Sequence, residues 1–363
     1  MIIGIDGNEA NVEKRVGIGE YAYELLMQFS QFSVPNLQFV IYLKNNPLRD
    51  FPKERESWRY RVIGPRKFWT QIALPIDLYL HRPKPNVFFT PSHYAPRFSP
   101  APTAISIMDL SYIHYPELFK KSDLYQLRNW TKYSVEKASK IFTISLASKN
   151  DIIREYKLPK NNVVVTYPGL KSISKIKYQT SSMVQENYIL FVGTLQPRKN
   201  LVRLVEAFSK VKDKYPKFKL LIVGKKGWLF EEILKSPKKY GVEKSVDFLG
   251  FVEDEKMPSI YKNAACFVLP SLYEGFGLPV LEAMKYGCPV ILSNVSSLPE
   301  AGGNAALYVD PENSDDIAEK ILKVLSNDKL RLEMIKKGYD QVKKFSWEKT
   351  AKETLKVLEK IAK

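Results

Sequence analysis

The stretch PSLYEGFGLPVLEAMKYG, residues 270–287, sets Glu274 and Glu282 eight positions apart with Gly275, Gly277 and Pro279 between them. Upstream CFVLP is a short apolar run, and downstream GCPVILS is another. The stretch therefore reads as strand, turn, helix, strand. Pro279 suits the first helical position, because its fixed φ is already helical. Gly287 fits just past the helix end, where left-handed backbone is needed. Glu274 then lies in the turn and Glu282 about one helical turn inside, and Gly275 and Gly277 let backbone N–H groups approach a ligand. Ionised carboxylates only accept hydrogen bonds, which suits the vicinal hydroxyls of a ribose or a pyranose. The competing reading is a capping acid followed by a helix-surface acid.

Working outward, the same alternation continues on both sides. NYILFVGT, FKLLIVG, VDFLG, CFVLP, PVILS and ALYVD are strand candidates separated by amphipathic helical segments. An earlier series, IIGID, LQFVIYL, NVFFTP, TAISIM, KIFTIS and VVVTYPGL, alternates with helices in the same way. Strand–helix alternation predicts α/β architecture with parallel sheets covered on both faces. Two such domains in tandem predict a cleft faced by strand C-termini. The boundaries expected are 1–170 for an N-terminal Rossmann-like domain and 171–186, KSISKIKYQTSSMVQE, for a polar linker. Residues 187–345 form a C-terminal Rossmann-like domain, and 346–363 a helix packing back toward the first. The chain is read as closing on two helices, in DDIAEKILKVLSN and FSWEKTAKETLKVLEKIAK.

With 363 residues, 45% of them hydrophobic, the chain can fill two cores. Cys266 and Cys288 sit in apolar strand-like runs and read as packing residues of a reducing compartment. The N-terminus lacks a secretory pattern and no run reaches the length of a membrane span, so a cytoplasmic location is expected. The formal charge of +17 calls for anionic partners or a solvated lysine-rich surface. Residues 51–100 hold nine Lys/Arg against three Asp/Glu, interleaved with Trp58, Tyr60, Phe68 and Trp69. That mixture suits the headgroup region of an anionic membrane surface. Nucleic acid is not expected as a partner, since only the charge supports it and no recognition motif accompanies that charge.

FVGTLQPRKNL, residues 191–201, runs strand, glycine turn, basic pair, helix. Arg198 and Lys199 thus precede a helix N-terminus, where free N–H groups already favour an anion, and together they make a diphosphate site. A glycosidase would also use two carboxylates but needs no diphosphate site.

EGFGLPVLEAMKYGCPVILSN resembles the E-x7-E signature of the family 4 retaining glycosyltransferases of GT-B fold. GTLQPRKN, LLIVGKKGW, FLGFVEDEKMPSIYKNAACFVLPSLYEGFGLP and FSWEKTA are similar to mannosyltransferase-like members, and IGIDGNEA with GIGEY resembles their glycine-rich acceptor-side loop. The resemblance implies that Glu282 binds the donor ribose. It also implies that Glu274, with the backbone of Gly275, Phe276, Gly277 and Leu278, holds the sugar while Arg198 and Lys199 neutralise the diphosphate. Gly17 and Gly19 would approach the phosphates, and the backbone near Phe251 and Val252 would meet the base. Two positions depart from the family pattern. Thr194 stands where many relatives carry arginine, leaving Arg198 to supply the second positive charge, and Met108 precedes Asp109 where many carry histidine. His93 and His114 lie nearby and read equally as packing residues or substrate contacts.

The expected reaction is sugar transfer from a nucleotide diphosphate donor, with GDP-mannose as first choice, to a hydroxyl of a glycan or lipid-linked acceptor at the inner membrane face. The resemblance implies retention through an oxocarbenium-like state, and the absence of a D-x-D pair argues for chemistry without a metal or other cofactor. Competing readings are a UDP-sugar donor, a sugar-nucleotide epimerase on the same architecture, and a non-catalytic nucleotide-sugar-binding protein.

Overall fold

Short runs dominated by apolar side chains build two wholly parallel sheets in the computed structural model, which describes residues 1–170 and 187–363. The expected linker, 171–186, lies outside the described residues. The first sheet contains β1 (Ile2–Asp6), β2 (Gln38–Leu43), β3 (Trp58–Val62), β4 (Val87–Thr90), β5 (Thr103–Ser106), β6 (Lys140–Thr143) and β7 (Val163–Val165). Its order is β3-β2-β1-β4-β5-β6-β7. The second contains β8 (Tyr188–Val192), β9 (Lys219–Val223), β10 (Val246–Gly250), β11 (Cys266–Leu269), β12 (Val290–Ser293) and β13 (Ala306–Val309), in the order β10-β9-β8-β11-β12-β13. Every residue of β4, β5, β11 and β12 is buried. That is why β4, β11 and β12 read as nearly continuous apolar runs rather than as alternation: helices cover both faces of a parallel sheet.

The described chain divides into two units: residues 1–113, 120–170 and 345–363 form one, and residues 114–119 and 187–344 the other. In the first unit the core gathers Phe29, Phe39 and Trp58, with the Phe29 and Phe39 rings stacked at 5.5 Å. The helix Trp347–Ile361 starts at Ser346, whose Oγ accepts from Lys349 N, and buries Trp347, Ala351, Leu355 and Leu358 in that core. It comes so close that a Cβ on Gly169 would lie 2.1 Å from the Trp347 nitrogen.

Four expectations need correction. The boundary at 170 put residues 114–119 in the first unit, yet they pack in the second. The His114 ring lies 5.1 Å from that of Tyr273, Phe119 packs on Trp228, and Trp228 Nε1 donates to Leu118 O. Second, WRYRV is the edge strand β3, not an interfacial segment: Trp58 and Trp69 are buried, so those rings face the core. Third, the chain closes on three helices, because Asp328–Val342, capped by Asn327, stands between Ser314–Leu325 and the last. Fourth, Pro279 occupies the second helical position, since the helix begins at Leu278 behind Gly277. Among the described residues no helix is long and apolar enough to cross a membrane.

Candidate functional site

The second sheet reverses its winding between β8 and β11, and loops leaving the C-terminal ends of such strands border a ligand crevice. Here those loops are residues 193–200 and 270–277, and they are stitched together. Arg198 O accepts from Leu272 N at 2.9 Å, and Asn200 Nδ2 donates to Pro270 O at 2.9 Å and Pro311 O at 2.6 Å. Gly224, just after β9, permits the nesting: a Cβ there would lie 1.9 Å from Gly193 O.

This scaffold brings Arg198, Lys199 and Glu274 into one cluster. Lys199 Nζ donates to Glu274 Oε1 at 2.5 Å, Ser271 Oγ to the same oxygen at 2.7 Å, and Arg198 Nη1 to Oε2 at 3.1 Å. Arg198 Nη1 also reaches Tyr273 O at 2.9 Å. The loop around the carboxylate is fixed from β12: Ser296 Oγ accepts from Glu274 N at 2.9 Å and Ser297 Oγ donates to Glu274 O at 2.8 Å. Glu274 is only 5% exposed. Burial by itself would raise its pKa, but the Lys199 and Arg198 charges, with hydrogen bonds from Lys199 and Ser271, outweigh it and hold the carboxyl at about 2. The cluster carries two cations against one anion, so a net positive charge sits at the crevice. Its three side-chain hydrogen bonds take up three of the about four acceptor positions of a carboxylate, leaving room on Oε2 for a hydroxyl donor.

Gly277 turns the chain into the helix Leu278–Lys285 with φ +97°. Gly275 and Phe276 are buried beside it. Glu282 rides on this helix, where Tyr261 Oη donates to its Oε2 at 2.7 Å. Tyr261 is fully buried; burial first, then the Glu282 charge, pushes its pKa up. The helix closes through Cys288 N to Ala283 O and Gly287 N to Met284 O, with Gly287 at φ +73°. That pair of bonds is a Schellman cap and explains the glycine. Farther along the C-terminal edge, Phe251 follows β10 with 57% exposure, Val252 beside it is half-buried, and Lys225 Nζ stands 4.6 Å from the Phe251 ring centroid. Thr194 is exposed at the tip of the loop after β8.

The remaining expected residues belong to the first unit. Gly17 caps the helix Ile18–Gln31 at φ +54°, and a Cβ on Gly19 would lie 2.9 Å from Glu9 O. Met108 packs against the first core, while Asp109 Oδ1 accepts from Ser111 N at 2.8 Å and so holds the start of the short helix Ser111–His114. Half-buried beside Asp109, His93 has its pKa lowered by desolvation against the opposing carboxylate charge.

Several residues of these sites escape sequence reasoning. Ser271, Ser296, Ser297, Asn200 and Tyr261 are common residue types whose role exists only once distant loops meet. Asp6 ends β1 at the reversal point of the first sheet; burial lifts its pKa to about 6 against hydrogen bonds from Asn8. Its place at the end of the opening strand was the available signal. Among the described residues, no three His, Cys, Asp or Glu side chains are grouped to hold a metal ion.

The family described as "Glycosyl transferases group 1" matches residues 172–341. O-antigen chain mannosyltransferase B of Escherichia coli is 33% identical over 310 residues, covering 82% of this chain and 78% of that protein. An uncharacterized glycosyltransferase of Methanocaldococcus jannaschii is 32% identical over 264 residues, 68% of this chain and 67% of that one. Among solved structures, sucrose-phosphate synthase from Thermosynechococcus elongatus superposes with a TM-score of 0.74 at 20% identity, covering 99% of this chain and 98% of that one.

Proposed function

Since the chain belongs to the group 1 glycosyl transferases and has their GT-B fold of two Rossmann-like units, we propose that it is a retaining mannosyltransferase. Its donor in this reading is GDP-mannose and its acceptor a hydroxyl of a glycan or lipid-linked glycan. The observation that carries the reading is the buried Lys199–Glu274–Arg198 cluster at the reversal point of the second sheet. The likeness to an O-antigen mannosyltransferase over most of the chain supports the sugar.

In this reading the bond from the sugar anomeric carbon to the diphosphate oxygen breaks, and the acceptor oxygen bonds to that carbon on the same face. The acceptor proton passes to the departing diphosphate, so the products are a glycoside and GDP. Lys199 and Arg198 stabilise the charge that develops on the leaving group, with Thr194 beside them contributing no charge of its own. Glu274 takes a sugar hydroxyl on Oε2, aided by backbone from Gly275 to Leu278. Glu282, oriented by Tyr261, takes the ribose hydroxyls. Phe251 and Val252 meet the base. The reaction runs without a metal or other cofactor, at the cytoplasmic face of a membrane that holds the acceptor.

A thermal-shift panel tests the donor, because a ligand bound only by the folded state raises the melting temperature. GDP and GDP-mannose are expected to stabilise the protein and UDP not. A shift with UDP alone keeps the site but replaces the donor; no shift with any nucleotide overturns the reading.

A further inference from the structure

The helical segment Trp69–Leu80 of the first unit is apolar on both sides. Its inner stripe, Trp69, Ala73, Leu74 and Leu78, is buried with Tyr42 and Phe88. Its outer stripe is Ile72, Ile76, Tyr79 and Leu80, with Ile76 54% and Leu80 77% exposed. A surface helix normally turns charged and polar residues outward. This segment has one charged side chain, Asp77, and Arg61 already holds it by Nε to Oδ2 at 2.5 Å. Phe68, also exposed, extends the stripe at one end. The exposed cations Arg66 and Lys67 stand before it, and Arg82 after it. A groove lined by Ile63, Ile72, Ile76, Leu80, Arg61 and His81 opens on the same face.

Apolar side chains are thus displayed between basic ends, with two aromatic rings, Phe68 and Tyr79, near those ends. An aqueous surface gives the stripe nothing to bury against, and a bilayer interface does: the aliphatic groups enter the acyl boundary while the cations meet phosphate headgroups. From this geometry we infer that the face formed by Arg66–Arg82 docks on an anionic phospholipid surface. The inference rests on the proposed function only in that a lipid-linked acceptor would lie in the same surface; the docking itself follows from the face. It replaces the earlier expectation for Trp58 and Trp69, whose rings are buried, with the residues that point outward.

The test is co-sedimentation of the full chain with vesicles of phosphatidylcholine alone or mixed with phosphatidylglycerol, beside thermal-shift response to nucleotides. Binding is expected to the mixed vesicles and to weaken with salt. Each cation near an anionic surface contributes about fivefold in partitioning, so Arg66→Gln/Lys67→Gln/Arg82→Gln is expected to lose on the order of a hundredfold. Ile72→Ser/Ile76→Ser/Leu80→Ser, changing exposed positions only, is expected to lose at least tenfold while keeping the nucleotide response. Lys238→Gln/Lys239→Gln/Lys336→Gln on the second unit, which removes the same charge, is expected to bind as the parent does. Equal loss in that control would overturn the inference in favour of diffuse charge attraction. So would absence of vesicle binding, or a serine variant whose only change, by sedimentation velocity, is from dimer to monomer. A lost nucleotide response with intact vesicle binding would strike the proposed function alone.

Discussion

Replacing Glu274 by Gln keeps the shape of the side chain and removes the anion that Lys199 and Arg198 share. The parent carboxyl is 5% exposed and held from an ordinary 4.5 down to about 2. At about 1.4 kcal/mol per pKa step this corresponds to roughly 3 kcal/mol. That agrees with the about 3–5 kcal/mol lost when one partner of a buried ion pair is deleted. The sign follows from the direction of the shift: a carboxyl with a depressed folded pKa stabilises fully above pH 4.5, and the stabilisation fades as pH falls toward about 2. Glu274→Gln is therefore expected to cost about 3 kcal/mol at pH 7 and clearly less at pH 3. Guanidinium unfolding followed by hydrogen exchange in peptides from 187–344 reads this unit apart from the other. GDP is expected to narrow the gap at pH 7, since its diphosphate would restore negative charge beside Lys199 and Arg198. A variant as stable as the parent at pH 7, or a gap unchanged at pH 3, would refute the account of the cluster.

Asp6→Asn tests the opposite sign in the first unit. Burial raises the Asp6 pKa to about 6, so its ionised form opposes folding as pH climbs through 6; the amide is expected to stabilise by up to about 3 kcal/mol at pH 8 and by nothing at pH 3, measured by the same unfolding assay. Tyr261→Phe removes the hydroxyl that orients Glu282 and is expected to weaken GDP binding by about fivefold in calorimetry, the worth of one hydrogen bond. Glu282→Ala should likewise act on nucleotide affinity, whereas Glu274→Ala should act on turnover in a transfer assay with radiolabelled donor. Gly224→Ala drives a methyl group toward Gly193 O and is expected to cost about 1–3 kcal/mol, seen as a lower melting temperature.

What could be read from residues was what short-range chemistry dictates. Continuous apolar runs such as CFVL mark buried parallel strands, and Gly287 marks a helix end because its left-handed φ is cheap only for glycine. The edge strand β3 hid because WRYRV alternates aromatic and basic side chains, and alternation on an edge looks like an interface. Arg198, Lys199 and Glu274 were each legible beside their own strands. Their mutual pairing was not, since it spans some 75 residues of chain and depends on Asn200 and the serines that close the loops. Residues 114–119 were misplaced for the same reason: nothing local in HYPELF shows that Tyr115 reaches Leu272 or that Leu118 meets Trp228.

The C-terminal helix bears on how the protein is made. Trp347, Ala351, Leu355 and Leu358 belong to the core of the unit that is synthesised first. A ribosome delivers Met1 through residue 170 long before it delivers this helix, so the early sheet waits with an uncovered apolar face while the later unit is built. Until the last turn leaves the exit tunnel, the nascent chain displays a surface that chaperones recognise and other nascent chains can pair with. Removing residues 345–363 would spare every described strand of both sheets and still leave the first one open.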